Sequence, residues 1–232
     1  MTTPQDLLFV TLDVPSSRPV EQGDLSLALA GAELVDLIAA EAVTLDDDRI
    51  VPGLVPATGD RLLDEAGAAL TRQAPYETVE DWLWRRGRGL ASAYAAASEA
   101  QGRGGGAGSR HRWLHPRGGR SAPADSPARR HAAGRWTSRE PVLVGFAAAL
   151  GIPRDALEEA ADNAPEGALG NAPDNSAPDG TLGNAPYNAS DLPDDAVVTV
   201  LATVNGALTE LEAVRQRRRI EDAAFDNIWR AP

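Results

Sequence analysis

Cysteine and lysine are both missing from this 232-residue chain, and methionine occurs once. Without cysteine there is no disulfide framework and no thiolate metal site. Without lysine all 22 basic residues are arginine; alongside abundant alanine, that bias is the mark of a GC-rich, bacterial genome and carries no mechanism. No run approaches the roughly 18 consecutive apolar residues of a membrane span. The N-terminal MTTPQDLLFV lacks the basic start and long apolar stretch of a secretory signal, so a cytoplasmic protein is expected. Signals of catalysis are also missing. There is no Gly-x-Ser-x-Gly elbow and no pair of carboxylates in an apolar setting. GRGGGAG (102–108) lacks the Gly-Lys-Ser/Thr ending of a phosphate-binding loop and reads as a linker.

Apolar residues make up 43% of the chain, enough to bury a sizeable core, while 17 Pro and 22 Gly point to unstructured pieces. The net charge of −12 hides an asymmetry: residues 85–139 hold twelve Arg and only Glu99 and Asp125 as acids, giving +10. A basic middle in an acidic chain suits an anionic partner, whether lipid headgroup, nucleic acid or acidic protein; a solvated Arg-rich loop is the alternative.

Hydrophobic periodicity predicts a mainly α protein, a single helical domain with one or two short β elements. LLFVTLDV (7–14) is a strand or the first turn of a buried helix, and its length cannot decide. Asp24 is a candidate N-cap for a helix reaching to about residue 42, and a short strand-like piece lies within 46–60. Asp60 caps a helix to about residue 72. Thr78-Val79-Glu80-Asp81 opens another, predicted to continue unbroken to Gln101. Ser126-Pro127 starts a short basic helix. Thr137-Ser138-Arg139-Glu140 reads as a capping box for PVLVGFAAALG, and a further short helix is predicted over 153–162. APEGALGNAP (164–173) returns as APDGTLGNAP (177–186), so residues 163–192 read as a flexible insertion with a thirteen-residue tandem repeat. A last helix is predicted from about 193 to 228.

The polar clusters are mostly bland. His111 and His115 are spaced i, i+4, but Pro116 and the neighbouring glycines oppose the helix that would join them on a metal, so no metal site is expected. Asp46-Asp47-Asp48 lacks the spaced ligands of a calcium loop and reads as a solvated turn. Trp82 is placed in the core. Trp84, beside Arg85 and Arg86, and Trp113, within the basic segment with Trp136, are candidate interfacial aromatics: indole suits headgroup depth and guanidinium pairs phosphate. The same mixture would suit stacking on single-stranded nucleic acid, but no nucleic-acid motif accompanies it.

TGDRLLDEA (58–66) followed by ETVEDWL (77–83) resembles the paired signature of the Golgi phosphoprotein 3 family. LLFVTLDV, LSLALAGAELVDLIAAEAVTL and PVLVGFAAALG resemble that family's first apolar segment, long first helix and later central helix, in the same order. The resemblance covers about 7–160 and 193–212 and implies a mostly helical, non-enzymatic, peripheral membrane protein without cofactor. Eukaryotic members recognise phosphatidylinositol 4-phosphate through a basic pocket and recruit tails of Golgi glycosyltransferases; homologues occur in actinobacteria, the branch this composition resembles. Of the two arginines near the start of the helix after the Trp motif, Arg88 matches one and Ala91 stands at the other. Ala30 stands where the first long helix has its arginine, and no tryptophan occurs in 18–23.

The resulting expectation is an adaptor, peripheral on the inner membrane face, that binds anionic phospholipid headgroups. Arg85, Arg86, Arg88, Arg110, Arg112, Arg117 and Arg120 are the candidate headgroup residues. A soluble interaction scaffold with acidic protein partners is the alternative, nucleic-acid binding is a third class that is not expected, and homo-oligomerisation stays open.

Overall fold

A computed structural model describes residues 1–14, 16, 18–54, 57–103, 126–153 and 194–230. Among them are eight helices, α1 (Thr3–Asp13), α2 (Gln22–Ala39), α3 (Arg61–Ala68), α4 (Val79–Arg86), α5 (Leu90–Arg103), α6 (Pro127–Thr137), α7 (Pro141–Ala149) and α8 (Asp195–Arg230). A single hairpin, β1 (Val43–Asp46) and β2 (Arg49–Pro52), completes them, so the chain is mainly α. The predicted helix at 153–162, the repeat insertion at 163–192 and most of the segment 102–125 lie outside the described residues.

α2 is the axis of the fold. Buried residues occur all round its middle, from Leu25 to Leu37, because α1, α3, α4, α5, α7 and α8 pack around it. A helix apolar on every side belongs inside a core rather than at its edge. α1 behaves the same way: Leu7, Leu8 and Val10 are buried, and Pro4 in its first turn presets the backbone dihedral. LLFVTLDV is therefore helical, with burial overriding its β-rich composition.

The hairpin pairs Val43 with Pro52 and Asp46 with Arg49, and it turns through the exposed Asp47 and Asp48. Asp47 has φ of 53°, a left-handed conformation that Asp tolerates better than most residues. β2 also ties down the entry to α4: Ile50 N–H donates to the Glu77 carbonyl and Val79 N–H to the Asp48 carbonyl. Trp82 is fully buried as expected, its Nε1–H donating to the Ala30 carbonyl at 3.0 Å.

Three local readings are corrected. Asp24 is not an N-cap; α2 starts at Gln22 behind Glu21, and Asp24 instead holds Arg215 of α8 at 2.7 and 2.9 Å. The cap of α7 is Glu140 itself, whose carboxylate accepts from the Val142 and Leu143 amides, with Pro141 following. The helix predicted to run from Thr78 to Gln101 is two helices, α4 and α5, separated by Gly87-Arg88-Gly89. By length and composition alone, α8 between Asp195 and Asp222 is apolar enough to cross a membrane. One face of it, with Val197, Val200 and Val204, is buried against the body, while the rest of the helix is largely exposed.

Candidate anion-binding groove

The break between α4 and α5 is forced by glycine and presents an arginine. Gly89 has φ of 72°, which costs a residue with a Cβ roughly 1–2 kcal/mol. A Cβ at Gly87 would lie 2.6 Å from the Leu83 carbonyl and 3.3 Å from that of Ser26, so the turn packs backbone against backbone. Between them Arg88 is exposed and forms no ion pair or hydrogen bond with the described residues.

Arg88 and Trp84 line one groove of about 410 Å³ together with Gln22, Gly23, Ser26 and Leu211. Two helices begin at its rim. α2 starts at Gln22 with no side-chain cap on its first amides, and α5 starts at Leu90. Helix N-termini carry partial positive charge, which favours an anion beside Arg88; α2 has no side-chain cap on its first amides, whereas in α5 the Leu90 and Ala91 amides are already taken by the Gly87 carbonyl and Ser26 Oγ. Ser26 Oγ accepts the Ala91 amide at 3.2 Å, and the Gln22 side-chain amide donates to Ser92 Oγ at 2.6 Å, fixing the two helix starts against each other. The nearby carboxylate of Asp24 is occupied by Arg215.

The other candidate arginines divide sharply. Arg85 is half-exposed but forked onto Glu77, at 2.7 to 3.1 Å, donates to the Ala69 carbonyl and lies 5.2 Å from the Trp82 ring centre. Arg86 turns inward to the fully buried Glu33, at 2.7 and 2.8 Å, and to the Leu62 carbonyl. Neither guanidinium reaches the groove in this arrangement. Trp136 is buried, which removes it from any interfacial role. Arg110, Arg112, Trp113, Arg117 and Arg120, with His111 and His115, lie outside the described residues.

A second charged cluster sits at the N-terminal end of the fold. Arg135 bridges Asp6 and Glu140 at 2.8 Å each, His131 Nδ1 lies 3.1 Å from Asp6, and Asp36 accepts the Thr3 amide at 2.7 Å. Burial pushes the Asp36 carboxyl up from its ordinary value. These groups satisfy one another and join α1, α2, α6 and α7, which makes the cluster a tie between helices. Among the described residues no group of His, Asp and Glu is placed to hold a metal ion.

Sequence reasoning missed the groove for a physical reason. Gln22, Gly23 and Leu211 come from distant segments, and only the packing of α2, α4, α5 and α8 brings them to Arg88. The one local signal is the Gly87-Arg88-Gly89 triplet, which falls inside the helix predicted over 78–101.

Comparison with known families places this architecture. A family model described as Golgi phosphoprotein 3 (GPP34) matches residues 4–179, about three quarters of the chain and all helices from α1 to α7. No curated protein and no solved structure gives a match. The chain belongs to the Golgi phosphoprotein 3 family.

Proposed function

We propose that this Golgi phosphoprotein 3-like chain is a non-enzymatic peripheral membrane protein that takes an anionic phospholipid headgroup into the groove at Arg88. The observation that carries the reading is the setting of Arg88: exposed, without an ion-pair partner among the described residues, beside Trp84 and between two helix starts. A phosphate there would accept charge-assisted hydrogen bonds from the guanidinium while the indole rests at headgroup depth. Arg110, Arg112, Arg117 and Arg120 belong to the same reading as contributors of long-range attraction, worth about 1 kcal/mol per basic residue close to an anionic surface. Arg85 and Arg86, committed to Glu77 and Glu33, make no direct contact with the headgroup in this reading.

Co-sedimentation with vesicles tests it. Phosphatidylcholine vesicles containing phosphatidylserine or phosphatidylinositol 4-phosphate are expected to bind the chain, and neutral vesicles are not. Equal retention on both, or on neither, overturns the reading.

One observation favours a second reading. Ala30 and Ala91, where the family resemblance places arginines, are buried and bring no charge to the groove. A soluble interaction scaffold that uses Arg88 for an acidic protein would retain its partner stoichiometrically in lipid-free extract, whereas the lipid reading predicts no such retention.

A further inference from the structure

Arg215 of α8 lies across the first turn of α2, on the partition between two hollows. On one side is the groove at Arg88, whose wall includes Gly23 and Leu211. On the other is a hollow of about 920 Å³ whose lining includes Arg18, Asp24, Glu212, Arg215 and Arg219. Gly23 is where the two meet: a Cβ there would lie 3.0 Å from Arg215 Nη2 and 3.2 Å from Leu211 Cδ2. Leu211 and Arg215 are four residues apart on α8 and so share the face that crosses Gly23. With no side chain at Gly23, the edge of the guanidinium meets the groove wall directly.

That guanidinium is only half committed. Both of its hydrogen bonds to Asp24 leave from Nη1, at 2.7 and 2.9 Å, and Nη1 is also the atom that lies 3.8 Å from Glu212. Nη2, the atom beside Gly23, forms no hydrogen bond with the described residues. Asp24 itself lines the far hollow and not the groove. Burial, outweighing the pairing with Arg215 and reinforced by Glu21 and Glu212, pushes the Asp24 carboxyl up from its ordinary value. The ion pair therefore does not fully offset the cost of placing a carboxylate there. The α2 turn under Nη2 has no side-chain cap on its first amides, so its partial positive charge adds to that of the arginine. The Asp24 pair fastens α8 to α2 through one edge of the guanidinium and leaves the other edge to the groove.

On the reading that the groove takes an anionic headgroup, we propose that Arg215 is a second arginine for the phosphate at Arg88, and that Asp24 competes with that phosphate for it. Arg215 keeps its place on α8, turns Nη2 over Gly23 and donates to a phosphate oxygen that Arg88 also serves. Two guanidinium groups on one phosphate supply charge-assisted hydrogen bonds in a fork geometry that a single one cannot complete. Asp24 sets the threshold. While its carboxylate holds Nη1, part of the Arg215 charge is cancelled; when it lets go, the groove gains a full positive charge. Gly23 keeps the route open, since a side chain there would fill the gap between Nη2 and the groove. The group recognised is a phosphate, and a lipid headgroup and a free anion both carry it.

Vesicle titration of the full chain tests the competition. On phosphatidylcholine vesicles containing phosphatidylserine, Asp24→Asn is expected to bind about fivefold more tightly than wild type, the worth of one further basic residue near an anionic surface. Arg215→Gln is expected to bind more weakly. A gain in affinity cannot come from a damaged fold. Adding Gly23→Ala to Asp24→Asn is expected to abolish the gain, because the new Cβ fills the route without changing any charge, whereas a general charge effect would persist. Calorimetric titration with inorganic phosphate separates the two sources. The same ordering of variants on phosphate, without vesicle binding, keeps Arg215 in the site and overturns the headgroup reading. Vesicle binding that is lost in Arg88→Glu but unchanged in Asp24→Asn or Arg215→Gln, or a gain that survives Gly23→Ala, overturns the role of Arg215 and leaves the headgroup reading standing. A wild type that binds neither vesicles nor phosphate overturns both.

Discussion

The Glu33 carboxylate, fully buried in α2, is held by the Arg86 guanidinium through hydrogen bonds of 2.7 and 2.8 Å and accepts a third from the Tyr94 hydroxyl at 3.0 Å. Two positions along the chain, Arg88 faces solvent. The turn at the end of α4 thus divides three arginines between the interior, a surface ion pair and an open groove.

Removing the buried partner should be costly. Arg86→Met leaves Glu33 without its counter-ion and frees the Leu62 carbonyl. Breaking such a pair on one side typically costs about 3–5 kcal/mol, whereas replacing both partners by apolar groups is often close to neutral. Urea unfolding is expected to show that loss for Arg86→Met and a large part of it recovered when Glu33→Gln is added. Equal losses in the single and double variants would mean that the pair is not coupled.

The same carboxyl sets a pH dependence. Burial, outweighing the Arg86 pairing, pushes Glu33 above the usual carboxylate range. The folded chain therefore binds this proton more tightly than the unfolded chain does. Its contribution to stability is fully present below the unfolded value, about pH 4, and falls as pH rises to the raised folded value. Glu33→Gln removes the term, so the difference in stability between the two proteins should change across that window and become flat above it. Burial, with Glu33 beside it, also drives the Tyr94 phenol far up. Alkaline titration followed by phenolate absorbance should show Tyr94 ionising only when the protein unfolds.

The signature TGDRLLDEA has a local physical role. Asp60 Oδ1 accepts from the Leu62 and Leu63 amides, and Asp64 Oδ1 accepts from both the amide and the hydroxyl of Thr58. Those Thr58 bonds hold the Asp64 carboxyl below its ordinary value. Its contribution is therefore present above the ordinary carboxylate value and lost as pH falls through the lowered one. Asp60→Ala should cost about 1 kcal/mol by loss of the cap, read as a shift in the urea midpoint with an unchanged slope. Thr58→Val should raise the Asp64 value in an NMR titration.

This motif also shows what was legible in the sequence. Asp60, Thr78 and Ser126 cap the helices they were expected to cap, because a cap bond spans two or three residues and is written locally. The wrong caps, Asp24 and the Thr137 box, fail where another demand on the side chain wins. Asp24 is taken by Arg215, 191 residues away, and Glu140 caps α7 directly. The arginines were legible as a charge excess but not as individuals. Nothing local tells Arg86 from Arg88, since the difference lies in which one meets Glu33 across the α2 interface.

Gly89 offers the sharpest separation of groove from fold. A Cβ there meets nothing within 4 Å, so Gly89→Ala adds no clash and acts only through its φ of 72°. The cost should be roughly 1–2 kcal/mol, leaving the chain folded but moving the turn that carries Arg88. Arg88→Glu makes the complementary change, reversing the charge without touching the backbone. If the groove takes an anionic headgroup, both variants should lose anionic-vesicle binding, and the wild-type binding they lose should weaken with salt. Arg85→Ala, whose guanidinium is already committed to Glu77, should lose much less. The ordering of the three variants on phosphatidylserine vesicles is the measurement, and an Arg85 effect as large as that of Arg88 would locate the binding surface on the α4 face instead of in the groove.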